Sequence, residues 1–386
     1  VLARVQGAPE GVKGISLFVV PKFLVNPDGS LGARNDAFCV SIEHKLGIKA
    51  SPTAVLQFGD HGGAVGYLVG QENRGLEYMF IMMNAARYGV GIQGIAIAER
   101  AYQKAVQYAR DRVQSRPVDG SINASAAIIH HPDVRRMLMT MRATTEGCRA
   151  MASTAAAAYD AAHHHADAQV RKQNATFYEF MVPLVKGYST EMSIEVASLG
   201  VQVHGGMGFI EETGAAQYYR DAKILTIYEG TTAIQANDLV GRKTARDGGQ
   251  TARGVAAQIA QTESELQASG TPAALAMASR LGAARKAFLD VVDFVCGGAK
   301  ASPNAVFAGS VPYLMLAGNL VAGWQMARAL LVAQELLHKG QDEAFMRAKI
   351  ATAQFYAEHI LVKAAGLRDS IVEGADSVTA LALDSF

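Results

Sequence analysis

Three long stretches of the sequence carry apolar residues at helical spacing, and they constrain the fold more than any other feature. These stretches, residues 75–113, 132–165 and 171–200, are rich in alanine and methionine, which are good helix formers. They predict the long helices of a bundle. A polar, glycine-rich break at residues 244–250 predicts a domain boundary, and further helices are expected from about residue 251 to the end.

The first part of the chain has a different pattern. Residues 14–21 and 53–58 are short runs rich in β-branched or aromatic residues and bounded by Gly, Pro or Asp, which is typical of strands. The run Asn26-Pro27-Asp28-Gly29 predicts a turn. The chain also begins with Val1 inside this strand-rich stretch and shows no signal-peptide pattern. We therefore expect it to be a fragment of a longer protein.

Composition and charge narrow the classes of partner. Half of the 386 residues are hydrophobic and 18% are charged, so the chain can bury a sizeable core and form two or three domains. The formal charge of +1, from 36 Lys and Arg against 35 Asp and Glu, argues against a nucleic-acid partner. Polar residues interrupt the apolar patches after residue 311, so no transmembrane segment is expected.

The three cysteines, Cys39, Cys148 and Cys296, show no pairing pattern. Such scattered cysteines are typical of a reducing compartment. We expect three free, mostly buried thiols and a cytoplasmic protein.

The most informative residue for function is Glu229, in a Glu-Gly-Thr turn that follows an apolar run and precedes a helical stretch. A carboxylate held at a loop-to-helix junction can act as a base. The free N–H groups at the start of a helix can hydrogen-bond a substrate oxygen beside it. Glu229 can thus supply both the base and an oxyanion donor, although an exposed helix-capping glutamate is the alternative that composition alone favours.

Glu229 belongs to a larger set of motifs. Arg220-Asp221-Ala222-Lys223 precedes Tyr228-Glu229-Gly230-Thr231, residues 202–209 read Gln-Val-His-Gly-Gly-Met-Gly-Phe, and Asn84-Ala85-Ala86-Arg87 lies in the first helical stretch. Together these motifs resemble the acyl-CoA dehydrogenase family. The tail beyond about residue 246 resembles the additional helical domain of the longer bacterial members.

The resemblance implies a mainly α fold with a partial β-domain. Residues 1–73 are expected to form the C-terminal part of the middle β-domain, a β-barrel remnant. Residues 74–245 are expected to form the four-helix domain of the family, and residues 246–386 the additional helical domain. If the absent β-domain strands supply much of the flavin site, residues 1–386 alone are expected to bind FAD poorly.

The chemistry implied by the resemblance is FAD-dependent α,β-dehydrogenation of an acyl-CoA thioester to the 2-enoyl-CoA. Glu229 would take the α proton and the β hydrogen would pass to the flavin as hydride. Tyr228 and Gly230 are expected to contact the substrate. The implied partners are an electron-transfer flavoprotein and a second copy of the chain, in a homodimer or homotetramer, and the tail slightly favours short or sulfur-containing acyl chains.

The same resemblance assigns the cofactor contacts. Thr231 matches a threonine that touches FAD, and it can also cap the following helix. Gln202, Gly205 and Gly206 match a turn that contacts the dinucleotide of the neighbouring subunit, since glycines let a backbone approach closely; a glycine-terminated helix is the plainer interpretation. Arg112 matches an arginine that pairs with FAD phosphates across the dimer interface.

The sequence departs from the family at a few positions. Ser115 replaces a common aromatic residue and Ala233 replaces a glutamine or glutamate, so neither is included in the predicted site. Some branches carry the base on the first long helix, where this chain has Ala86, so Glu229 is left as the candidate base. We expect the adjacent Arg87 to be buried and salt-bridged, because unpaired burial of its charge is costly.

The sequence leaves other functions open. The run His163-His164-His165 does not predict a metal site, because neighbouring helical residues point about 100° apart. An acyl-CoA oxidase is the close alternative, because the sequence does not reveal whether reduced flavin meets oxygen. A nucleic-acid-associated protein or a scaffold of the same fold also remains open, although the balanced charge and Glu229 disfavour them.

Overall fold

The computed structural model describes all residues, Val1–Phe386, and they separate into two compact units, residues 1–86 and 87–386. The first unit is built on seven short strands. They are β1 Leu2–Arg4, β2 Ile15–Val19, β3 Phe23–Val25, β4 Leu31–Arg34, β5 Ala37–Ile42, β6 Ala54–Phe58 and β7 Tyr67–Leu68. The predicted strands at 14–21 and 53–58 correspond to β2 and β6, so the partial β-domain is confirmed.

The strands pair antiparallel in three small sheets. One sheet has the order β1-β2-β7, and β3 pairs with β4 and β5 with β6. Leu2 lies opposite Leu17, and Phe18 lies opposite Leu68. Every residue of β6 is exposed, and the large clusters of buried apolar side chains lie beyond residue 86. The sheets therefore contribute little to the hydrophobic core.

The rest of the chain is helical. The helices are α1 Gly75–Asp111, α2 Pro132–His164, α3 Ala168–Pro183, α4 Ser189–His204, α5 Ala215–Leu225, α6 Thr232–Val240, α7 Gln250–Ser269, α8 Pro272–Gly298, α9 Pro303–Ala308, α10 Ser310–His338, α11 Glu343–His359 and α12 Ala364–Val372. The predicted helices at 75–113 and 132–165 are confirmed as α1 and α2. No helix combines the length and the apolar character that a membrane crossing requires.

The predicted helix at 171–200 is interrupted. A π-helical segment, Leu184–Tyr188, lies between α3 and α4. Pro183 ends α3, and because proline has no N–H and crowds the preceding turn, it disturbs the regular hydrogen-bond ladder. Such π-helical turns are frequent at functional sites. A second π-helical segment, Gly241–Ala245, follows α6.

Two cores hold the helices together. A smaller core joins α1, α2, α4 and α5. A larger core runs through α2 and α3 into α7, α8, α10, α11 and α12, with fully buried side chains such as Met151, Phe288 and Tyr356. This larger core continues across residue 245, and the domain boundary expected there stays a prediction.

All three cysteines are free, as the sequence predicted. The expectation that they are mostly buried is wrong, since only Cys148 is fully buried. Cys296 is partly covered, and Cys39 is exposed because the strand that carries it, β5, has few neighbours over its faces.

Candidate functional site

The loop between α5 and α6 places Glu229 in an unusual backbone conformation. Glu229 has a φ of 55° and Gly230 a φ of 91°, both in the left-handed region that non-glycine residues seldom adopt. A Cβ at Gly230 would also lie 2.7 Å from Nε2 of Gln235, so a larger residue there would displace the end of that side chain. The turn leaves the side chain of Glu229 exposed.

The same turn leaves a hydrogen-bond donor beside the carboxylate. Within the chain the backbone N–H of Glu229 has no acceptor, whereas the N–H of Thr232 donates to the carbonyl of Thr226 at 3.0 Å. Thr231 caps α6, and its hydroxyl accepts from the N–H of Ile234 at 3.3 Å, so the predicted cap is confirmed. A carboxylate and a free N–H therefore belong to one residue at the start of a helix.

Tyr228, which precedes the carboxylate, is tied to α1. Its hydroxyl donates a hydrogen bond to Oε1 of Gln93. Burial, with a smaller effect from the charge of Glu229, raises the pKa of the Tyr228 phenol. Tyr228 thus remains a neutral hydroxyl near Glu229 at ordinary pH.

Three side chains that sequence reasoning missed hold this loop from the protein side. Lys186 Nζ donates to the carbonyl of Gly230 at 2.5 Å. Thr232 Oγ1 donates to Oε1 of Glu191 at 2.5 Å, and Gln235 Nε2 lies 3.4 Å from the Gly230 carbonyl. Lys186 and Glu191 lie in stretches with helical periodicity, where charged residues usually face solvent. No local pattern therefore indicated that their side chains contact the loop.

Arg87 has the buried, paired position that the sequence predicted. Its side chain is nearly inaccessible, and Nη1 lies 3.7 Å from Oδ2 of Asp238 in α6. Asp238 also faces Arg242, at 3.5 Å. Since Asp238 follows the Glu229 loop by less than three helical turns, this pair ties α1 to the helix that begins at the loop.

The residues that the sequence predicted to contact the cofactor of a neighbouring subunit lie where α1 and α4 end. The rings of Tyr108 in α1 and His204 in α4 stack with centroids 4.3 Å apart. Arg112 follows Tyr108 by one turn, and Gly205 follows His204. Burial lowers the pKa of His204, and its Nδ1 is bonded to the Gly200 carbonyl at 2.7 Å, so it serves as a neutral packing residue.

The groups at these helix ends are open to a ligand. Gly205 has a φ of 59° and terminates α4, and Cβ atoms built at Gly205 or Gly206 would meet no atom within 4 Å. Gln202 and Arg112 are exposed. The Arg112 guanidinium is in no ion pair, in contrast to Arg220, which is bound to Glu211. The predicted site residues thus fall into two groups. Residues 228–231 lie in one loop, and Arg112, Gln202, Gly205 and Gly206 lie at the helix ends.

The histidine run is accounted for by local contacts. His163 Nδ1 is bonded to the carbonyl of Tyr159 at 2.8 Å, and its ring packs on the ring of the same tyrosine with centroids 4.1 Å apart. No group of three or more His, Cys, Asp or Glu side chains is placed to hold a metal ion.

Two family models match different parts of the chain. The family model described as "Acyl-CoA dehydrogenase, C-terminal domain" matches residues 73–243, and that described as "Acetyl-CoA dehydrogenase C-terminal like" matches residues 255–382. The 3-methylmercaptopropionyl-CoA dehydrogenase of Ruegeria pomeroyi is 57% identical over 383 residues, which cover 99% of this chain and 64% of that protein. The chain belongs to the acyl-CoA dehydrogenase family.

Two further comparisons extend this assignment. The broad-specificity linear acyl-CoA dehydrogenase FadE5 of Mycobacterium tuberculosis is 38% identical, over 98% of this chain and 64% of that relative. The structure of an acyl-CoA dehydrogenase complexed with FAD from Bacillus anthracis matches with a TM-score of 0.72 at 22% identity, over 99% of this chain and 61% of that one. The fold is therefore that of the acyl-CoA dehydrogenase family, and the chain spans less than two thirds of the length of these relatives.

Proposed function

We propose that the protein catalyses FAD-dependent α,β-dehydrogenation of an acyl-CoA thioester, with Glu229 as the base. The observation that carries the proposal is the left-handed turn, in which one residue presents an exposed carboxylate and a backbone N–H without an acceptor. The α proton of a thioester is very weakly acidic, so its removal needs a base and a donor to the carbonyl oxygen at the same time.

In the proposed reaction the carboxylate of Glu229 takes the α proton, which ends on the glutamate. As the proton leaves, negative charge develops on the thioester oxygen, and the N–H of Glu229 donates to that oxygen. FAD, when bound, supplies the acceptor for the β hydrogen, which leaves as hydride. The hydroxyl of Tyr228 is held by Gln93 and, with the backbone of Gly230, lines the path of the substrate.

The residues proposed to hold FAD fit its chemistry. Arg112 has a guanidinium outside any ion pair, which suits a phosphate group. Gly205 and Gly206 present backbone with open space above it, and Gln202 is exposed beside them. The hydroxyl of Thr231 accepts from Ile234, so its own proton is available for a cofactor oxygen or nitrogen.

The substrate and the setting are further parts of the proposal. We take a short, sulfur-containing acyl-CoA as the first substrate to try, because of the 57% identity to 3-methylmercaptopropionyl-CoA dehydrogenase. We propose an electron-transfer flavoprotein as electron acceptor, a homodimer or homotetramer as the assembly, and the cytoplasm as location, which the three free cysteines support. Such a reaction is of the kind that opens fatty acid beta-oxidation.

Anaerobic titration of the natural-length, flavin-loaded protein with a panel of acyl-CoAs tests the proposed function. We expect the flavin absorption band to bleach with at least one thioester, and readmission of oxygen separates a dehydrogenase from an oxidase by the rate of recovery. If no thioester bleaches the band, the proposed function is wrong.

A prediction about cofactor binding follows from the small first unit. Residues 1–386 expressed alone are expected to hold FAD well below one equivalent, because four of the seven strands of this unit lie in isolated two-stranded sheets, which are only marginally stable. The flavin-to-protein absorbance ratio after gel filtration measures this. One equivalent of tightly bound FAD would contradict the expectation that strands outside this chain supply much of the flavin site.

A further inference from the structure

Lys186 is buried although it is a lysine. It lies in the middle of the π-helical segment Leu184–Tyr188, with a relative exposure of 0%. Lysine is almost never fully buried unless its ammonium has a partner. Here the partner is the backbone carbonyl of Gly230, at 2.5 Å. The side chain therefore connects the irregular turn of the helix to the loop that carries Glu229.

The charges around Lys186 act in opposite directions. The pKa of Lys186 is lowered to about 8, chiefly by burial; Arg87 adds to this effect, and Glu191 and Glu229 oppose it. At neutral pH the group is still an ammonium, and a charged donor forms a stronger hydrogen bond than a neutral amine does. Loss of the proton above this pKa weakens the bond to Gly230 but also relieves the cost of burying the charge, and the lowered pKa means that the second effect is larger.

Lys186 and Glu191 hold the loop at two points from the same stretch of chain. The lysine binds the carbonyl of Gly230, and the carboxylate of Glu191 accepts from the hydroxyl of Thr232 at 2.5 Å. These loop residues flank Thr231. A left-handed glutamate is less stable than one with ordinary backbone angles, so the turn at Glu229 needs such external restraint to persist.

The segment that carries Lys186 is itself fixed by the C-terminal helices. The hydroxyl of Tyr188, two residues further along, donates to Oδ1 of Asn319 in α10 at 2.8 Å and lies 3.2 Å from the hydroxyl of Tyr356 in α11. All three side chains are buried. A Cβ at Gly318 would lie 2.2 Å from the Tyr188 ring, so α10 packs directly on this tyrosine. The helices beyond residue 245 therefore support the position of the lysine.

We propose that Lys186 is a positioning residue, which holds the carbonyl of Gly230 so that Glu229 keeps the left-handed turn in which its carboxylate and its N–H face one substrate. The effect of Lys186 on catalysis rests on the proposed dehydrogenation. Its structural part, the restraint of residues 226–232, can be measured without any substrate.

Replacement of the lysine tests both parts. In Lys186→Met of the natural-length protein, we expect kcat to fall roughly tenfold to a hundredfold, since a displacement of about 1 Å can cost about a hundredfold. We expect flavin content and the Kd for acyl-CoA to stay within about threefold of the wild type. The matched control is Lys349→Met, because Lys349 is also a poorly exposed lysine, bound to Glu146 at 2.7 Å in a different part of the fold. The control should keep the wild-type kcat.

Amide hydrogen exchange gives the readout that does not depend on activity. Ile227, Tyr228 and Thr232 have hydrogen-bonded N–H groups, and in Lys186→Met their exchange should become at least about tenfold faster while α8 keeps its protection. Unchanged exchange in this loop, or a loss of kcat that only follows a loss of flavin and of folded protein, would overturn the proposal.

The wild type offers a second measurement if the variant does not fold. As the pH rises through about 8, Lys186 loses its proton. The charged groups that face it are Glu191, Glu229 and Arg87. Because the pKa of Lys186 is lower in the folded protein than in water, the closed loop binds fewer protons than the opened loop above this pH. Protection of residues 226–232, corrected for intrinsic exchange rates, should then increase relative to α8. A constant ratio between pH 7 and 9 would count against the proposal. The loop protection could respond as described although no thioester bleaches the flavin band. That result would refute the dehydrogenation and leave the positioning role of Lys186 intact.

Discussion

In Glu229→Gln, turnover of every acyl-CoA substrate is expected to fall by about three orders of magnitude, within the usual 10²–10⁴-fold range for loss of a general base. Glutamine has nearly the same size and keeps the backbone N–H that we propose as donor to the thioester oxygen. It cannot accept a proton at neutral pH. The Kd for acyl-CoA should therefore change little while kcat falls, which separates loss of the base from loss of the site.

Rapid mixing under anaerobic conditions, with the flavin band as the signal, measures this prediction. The matched control is Glu212→Gln, since Glu212 is an exposed glutamate of the same stretch that forms no ion pair. The control should bleach at the wild-type rate. If Glu229→Gln retained wild-type bleaching, another group would have to be the base, and the left-handed turn would lose its proposed role.

The sequence predicted the local features of the site better than the distant side chains that hold the site in place. The turn at Glu229 and the cap at Thr231 follow from the chemistry of a few adjacent residues, since a glycine next to a capping threonine is a local signal. The burial of Arg87 was also predictable, because an arginine within an apolar helix has to be paired. These inferences needed no knowledge of the tertiary arrangement.

Lys186 could not be found in this way. Its partner, Gly230, lies 44 residues further along the chain, and a lysine in an apparently regular helical stretch is normally expected at the surface. Pro183 was the one local sign of irregularity, since a proline inside a helical pattern disturbs the hydrogen-bond ladder. Whether the disturbance ends the helix or inserts a π-helical turn depends on the packing of α1 and α10, which no local pattern contains.

The packing of α1 on the π-helical segment leads to the second large effect, a loss of stability in Gly91→Ala. A Cβ at Gly91 would lie 2.5 Å from the carbonyl oxygen of Val185 and 2.8 Å from its carbonyl carbon. Backbone cannot move aside as a flexible side chain can, and overpacking of this kind costs about 1–3 kcal/mol. The better helix propensity of alanine, about 1 kcal/mol, offsets only part of that cost.

The same helix contains a matched control. Gly89 lies two residues earlier, and a Cβ there would meet nothing within 4 Å, so Gly89→Ala is expected to raise stability by roughly 0.5–1 kcal/mol. The melting temperature should therefore rise in one variant and fall in the other. Because Val185 immediately precedes Lys186, Gly91→Ala should also speed hydrogen exchange in residues 226–232 and lower kcat, whereas Gly89→Ala should change neither. Equal melting temperatures for the two variants would mean that α1 and the π-helical segment do not pack as closely as described, and the restraint on Glu229 through Lys186 would lose its structural basis.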